Sequence, residues 1–138
     1  MRNISFMLTK EQIQRRSKTV TRRMGWKNLK RGDLLNGVEK AMGLKAGEKI
    51  KSLAIIRVVD VREEALAAMT EDPEYGFEEC RREGFGDHPD LSGPAEFVKF
   101  FCSSHKGCTP ESLVTRIEFE YVVPDPQRAS ADNRLGSR

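Results

Sequence analysis

The run Leu53-Ala54-Ile55-Ile56-Arg57-Val58-Val59-Asp60-Val61 constrains this chain more than any other stretch. β-Branched side chains lose rotamer freedom in a helix and pack well on a pleated surface, so the spacing predicts a central strand from Ile50 to Val61. That strand is expected to carry the core. A second strand is predicted over 113–123, where Val114, Ile117, Phe119, Tyr121 and Val123 largely alternate with polar neighbours before Pro124 ends the pattern. A third, from Leu34 to Met42, follows the turn signal Lys30-Arg31-Gly32-Asp33.

Helical signals fill the gaps. Thr9-Lys10-Glu11-Gln12 predicts a helix over about 10–17, with Thr9 as cap, Gln12 as its capping-box partner and Ile13 as the interior apolar anchor. Lys18-Thr19-Val20-Thr21, with three β-branched residues, then turns the chain to an extended segment, and element ends of this kind leave backbone groups free for a ligand. Residues 62–69 read as a helical turn or as the end of the central strand. Past the break at Thr70-Glu71-Asp72-Pro73, residues 74–83 predict a polar helix stopping at Gly84, with Phe77 and Cys80 on one face. Pro94 opens another helix, whose Phe97, Phe100 and Phe101 form a stripe that fills a core rather than stacking on bases. At 138 residues the chain suits one domain, taken as 1–123, with 124–138 as a disordered tail.

Charge is distributed unevenly. Residues 1–32 hold ten Lys and Arg against the single acid Glu11, whereas residues 33–138 hold fourteen against twenty, so the overall +3 conceals a basic N-terminal segment. Arg15, Arg16, Arg22, Arg23, Lys27, Lys30 and Arg31 suit contact with a phosphate chain, and Trp26 suits stacking on a base. A solvated basic face accounts for the same charges, and a core position accounts equally for Trp26.

Three cysteines and no secretory signal predict reduced thiols and a cytoplasmic protein, and no apolar run is long enough to cross a bilayer. Cys102-x2-His105-x2-Cys108, with Cys80 as a fourth ligand, makes a zinc site conceivable, but the spacing is not that of a standard knuckle. No metal and no cofactor are expected. The His-x-Glu and Pro-Cys-x-x-Cys pair of the zinc deaminases is missing as well.

Ser17-Lys18-Thr19-Val20-Thr21-Arg22-Arg23, Leu29-Lys30-Arg31-Gly32-Asp33 and Arg82-Glu83-Gly84-Phe85, in that order, resemble the markers of the ASCH domain of the PUA-like superfamily, particularly its small stand-alone bacterial and phage forms. The likeness spans residues 4–123. It implies an α+β fold, a small mixed β-barrel flanked by short helices, with a basic cleft beside the first helix. Recognition of RNA or a modified nucleoside there, away from any membrane, is the function the resemblance implies. One bacterial branch hydrolyses N4-acylated cytidines with a Lys, a Thr and a Glu, which match Lys18, Thr21 and Glu83 here, while Arg23 matches an Arg nearby. In that alternative, Thr21 attacks or holds the attacking water, Lys18 takes its proton, Glu83 protonates the departing amine and Arg23 polarises the acyl oxygen. A Lys18–Glu83 salt bridge that merely ties the first helix to the barrel is the competing reading of the same pair.

Overall fold

The computed structural model describes residues 1–122, so the predicted tail over 124–138 lies outside the described residues. The β-branched run forms the longest strand, β4 (Ser52–Ala65), flanked by β3 (Leu34–Val38) and β5 (Leu113–Tyr121), both antiparallel to it. β1 (Arg2–Ser5) adds parallel to β3, and β2 (Val20–Arg23) adds antiparallel to β5, giving the order β1-β3-β4-β5-β2. A register shift between Val58 and Asp60 bulges β4 against β5, which sharpens its bend. The mixed sheet curls into a half-barrel rather than a closed one. Its free edges, β1 and β2, are joined by a side chain: Arg23 Nη2 donates to the Ser5 carbonyl at 2.6 Å.

Several boundaries differ from those the sequence predicts. The first helix, α1, spans only Lys10–Gln14, because Arg16 adopts a left-handed φ of 63° and ends it. Thr9 precedes it without a side-chain capping bond, so the expected capping box does not form. The strand predicted over 34–42 stops at Val38. β4 runs on through Ala65 before the short α2 (Ala68–Glu71), so residues 62–69 divide between strand and helix.

Asp72 then starts α3 (Pro73–Cys80), accepting a bond from the Tyr75 backbone N–H at 3.3 Å. A Cβ at Gly76 would overlap the Met69 carbonyl and stand 2.7 Å from Pro94 Cβ, so only glycine lets α3 lie this close to α2 and α4 (Pro94–Ser104). Past Cys80 the helix widens into a π-type turn, Arg81–Phe85, interrupted at Gly84 with φ 99°. Phe77 is 57% exposed whereas Cys80 is fully buried, so the two do not share the apolar face that their spacing predicts.

Two apolar clusters hold this arrangement. Ile4, Ile13, Leu35, Ile56, Ile117 and Phe119 pack inside the curl of the sheet. Leu66, Met69, Cys80, Phe97, Phe101 and Val114 pack the helices onto one end of the β4–β5 ribbon. Phe97 and Phe101 of the predicted stripe are thus core residues, and Phe100 is half-buried beside them. The seam between the two clusters carries the polar site.

Candidate functional site

Lys18 leaves α1 on the short connection into β2, and Glu83 sits in the π-type turn after α3. Both are 3% exposed. Lys18 Nζ donates to the Glu83 backbone carbonyl at 2.6 Å and to Glu83 Oε1 at 3.0 Å, and the connection is tied down on either side of the lysine. The Thr19 N–H donates to the Arg82 carbonyl at 2.8 Å, and the Tyr121 hydroxyl donates to the Lys18 carbonyl at 2.6 Å. Thr21 and Arg23 share one face of β2, and Arg23 Nε donates to Thr21 Oγ1 at 3.0 Å, leaving the hydroxyl proton free to point elsewhere.

Lys18, Thr21, Arg23 and Glu83 all line one cavity of about 220 Å³. Its other walls are the aromatic rings of Phe6, Phe85, Phe97, Phe100 and Phe101, the segment Ser5–Thr9, Arg22, and Ser104 with His105. The polar groups thus gather against an apolar, aromatic lining, which is the usual make-up of a small-molecule site. The Arg23 guanidinium carbon and Lys18 Nζ stand 5.0 and 5.9 Å from the Phe6 ring centroid, and Lys18 Nζ stands 5.7 Å from that of Phe85.

From Arg22 an ionic network extends behind the cavity. Arg22, Arg116 and Arg62 are register partners across β2, β5 and β4, a row of three like charges that would repel if left bare. Carboxylates neutralise it. Glu79 accepts from Arg22 Nη2 at 2.6 Å and from Arg116 at 2.5 and 3.0 Å, and Glu64 accepts from Arg22 and Arg62, each at 3.0 Å. Tyr75 links Glu64 to both of those arginines through its hydroxyl. Arg22 Nη1 closes the chain on Glu83 Oε2 at 3.1 Å, so Glu83 has one oxygen on Lys18 and the other on Arg22. The signal for this network was the i, i+4, i+8 spacing of Tyr75, Glu79 and Glu83, which puts three polar groups on one stripe of α3 and its extension.

Burial and charge shift the acids and bases in opposite directions. Burial is the largest influence on Lys18 and lowers it below the usual lysine range; Glu83 pulls the other way, and Arg23 and Arg22 add to the lowering. Burial would raise Glu79, but Arg116 and Arg22 outweigh it and hold the carboxyl at about 2.

No protein-family model and no curated protein matches the chain. Among solved structures, the crystal structure of an ASCH domain from Lactobacillus crispatus JV V101 superposes with a TM-score of 0.57 at 16% identity, covering 86% of this chain and 77% of that one. The fold is that of an ASCH domain. A protein of Enterococcus faecalis V583 assigned to DUF984 aligns at 21% identity with a TM-score of 0.47, over 83% of this chain and 69% of its own.

On this ASCH-type fold the basic residues separate into two sets. Arg22 is enclosed, its side chain 0% exposed and committed to three glutamates, so it presents nothing to a phosphate chain. Arg23 is a cavity wall. Arg15, Arg16, Lys27, Lys30 and Arg31 are exposed. Trp26 is half-buried against the sheet core, and the Arg2 guanidinium carbon lies 4.1 Å from its ring centroid. Among the described residues no group of three or more His, Cys, Asp and Glu could hold a metal ion. Cys80 is buried in the helical core, and His105 stacks on Phe101 at 4.2 Å between ring centroids, so these two do not join Cys102 and Cys108 in a tetrahedral site. No helix among the described residues is long and apolar enough to cross a membrane.

Proposed function

We propose that the cavity takes the acylated base of a nucleoside of the N4-acylcytidine type and hydrolyses its exocyclic amide. The observation that carries this reading is the meeting of Lys18, Thr21 and Glu83 on one aromatic-walled cavity, with burial lowering the lysine. A volume of about 220 Å³ suits a single ring with a short substituent, being smaller than the ~300–1,000 Å³ of most drug-sized sites. The resemblance of Lys18-Thr19-Val20-Thr21 to the catalytic segment of the acylcytidine hydrolases supplies the bond to be cut.

In this mechanism neutral Lys18 accepts the proton of the Thr21 hydroxyl or of a water that it positions, and the freed oxygen attacks the acyl carbon. Arg23, fixed between Thr21 and Ser5, donates toward the oxyanion that develops. The C–N bond breaks, and the amine leaves with a proton delivered through the Lys18–Glu83 pair. Should Thr21 be the nucleophile, water cleaves its ester by the same proton path. Incubation with N4-acetylcytidine is expected to release cytidine and acetate, and Lys18→Ala and Glu83→Gln are each expected to abolish the release. A folded wild-type protein that leaves the amide intact at high enzyme concentration overturns the reading.

The exposed set Arg15, Arg16, Lys27, Lys30 and Arg31 supports a second reading, in which the cavity recognises a nucleoside within RNA and the surface cations meet the flanking phosphates. Binding of RNA that vanishes when the cavity is blocked by free nucleoside is expected on that reading. Binding that ignores the nucleoside overturns it.

A further inference from the structure

The last turn of α4 and the loop that follows hold two thiols in contact. Cys102 Sγ and Cys108 Sγ lie 3.5 Å apart, and both residues are half-buried, while Cys80 is sealed in the helical core with its thiol pushed up to about 12 by burial. The intervening chain is a compact turn: the His105 N–H bonds the Cys102 carbonyl at 3.4 Å, the Cys108 N–H bonds the His105 carbonyl at 3.1 Å, and Gly107 takes the left-handed φ of 77°. Between the two cysteines in the sequence is His105, whose ring stacks on Phe101, shares a bond between its Nδ1 and the Phe101 carbonyl at 2.8 Å, and faces the cavity.

We infer that Cys102 and Cys108 form a reversible dithiol–disulfide pair whose oxidation clamps the His105 turn onto the end of α4 at the wall of the cavity. The inference stands apart from the chemistry proposed for Lys18. A disulfide needs its sulfurs drawn to ~2.05 Å, so the pair requires a closing of under 2 Å between them.

With hydrogen peroxide as the oxidant, the Cys108 thiolate attacks one peroxide oxygen, the O–O bond breaks, and a sulfenic acid and water result. Cys102 Sγ then attacks that sulfur; the S–S bond forms, the S–O bond breaks, and the Cys102 proton leaves with the hydroxide as a second water. Two thiols and one peroxide thus give one disulfide and two waters. Burial and the neighbouring thiol push Cys102 up to about 11, which makes it a slow nucleophile towards free oxidant and suits it to the second, intramolecular step. A small dithiol reverses the change by exchange.

Intact-mass analysis of the full chain after dilute hydrogen peroxide tests the pair. The native protein is expected to lose the mass of two hydrogen atoms and to regain it with dithiothreitol. Lys106 lies between the two cysteines, so tryptic fragments cut there should stay joined until reduced. Cys102→Ser and Cys108→Ser should each abolish the loss, and Cys80→Ala should not. Amide hydrogen exchange over residues 103–109 should slow several-fold on oxidation. Oxygen adducts without hydrogen loss, disulfide-linked dimers, a bond through Cys80, or three thiols that stay alkylatable after peroxide would each overturn the inference, as would unchanged exchange in the oxidised turn.

Discussion

Lys18 and Glu83, sixty-five residues apart, meet twice: the ammonium nitrogen donates both to the backbone carbonyl and to the side-chain carboxylate of the same glutamate. A purely tethering salt bridge needs only the carboxylate. The carbonyl contact holds the lysine independently of the carboxylate.

The pH dependence of cleavage follows from the direction of the lysine's shift. Only neutral Lys18 accepts a proton, and burial places its transition below the ordinary 10.5, so amide hydrolysis is expected to rise with pH through that lowered value and level off before 10.5. Lys18→Arg, which stays protonated, should be as inactive as Lys18→Ala across the whole range. A rate profile with no ascending limb, or activity in the arginine variant, would remove the lysine from the base role.

Arg22 is the keystone of the ionic network, and its loss leaves Glu79 to Arg116, Glu83 to Lys18 and Glu64 to Arg62, each with one cationic partner fewer. Arg22→Met is expected to cost about 3–5 kcal/mol in urea denaturation, since it removes charge-assisted hydrogen bonds from three buried or partly buried carboxylates at once. Arg22→Lys should recover part of this, because a lysine cannot reach three carboxylates with a planar fork.

Acid should expose the same network by a different route. Glu79 is held at about 2 against an ordinary 4.5, so between those values the unfolded chain binds the proton and the folded chain does not. Its contribution is therefore complete above 4.5 and is lost as the pH falls towards 2, an effect on the order of 3 kcal/mol from the size of the shift. Lys18 acts in the opposite part of the scale, where its lowered value makes stability rise with pH in the window below 10.5. Thermal melts from pH 6 to pH 2 should show a steep loss that Glu79→Gln flattens, on a less stable background.

Phosphate contacts, if RNA is the ligand, are countable by salt. Lys27→Ala and Lys30→Ala should each shallow the slope of log affinity against log salt by about one unit. Arg22→Lys should leave that slope unchanged, because the residue is enclosed.

The strands that carry the core were legible because Ile, Val and Phe at period two have few alternatives: β4 and β5 lie where Leu53–Val61 and Val114–Tyr121 predict them. β1 was not legible as a strand. Its four residues include Asn3 and Ser5, and it is held by a parallel partner thirty-odd positions away, a contact that no local pattern encodes. The convergence of Lys18, Thr21 and Glu83 was readable only through the family resemblance. Arg116 was hidden for a physical reason: alternation along β5 marks it as a solvent-facing position, yet α3 covers it and supplies Glu79 as its counter-ion. Arg22 reads in sequence as surface charge on the same ground, since a basic block looks alike whether water or glutamate neutralises it.

The Arg23–Ser5 link across the open edges of the sheet gives the N-terminal residues an importance out of proportion to their size. Ser5–Thr9 supply a wall of the cavity, and a four-residue strand anchors them. Trimming or crowding the first few amino acids, as an affinity handle placed there would do, should therefore blunt ligand capture while the remaining strands and helices melt much as before.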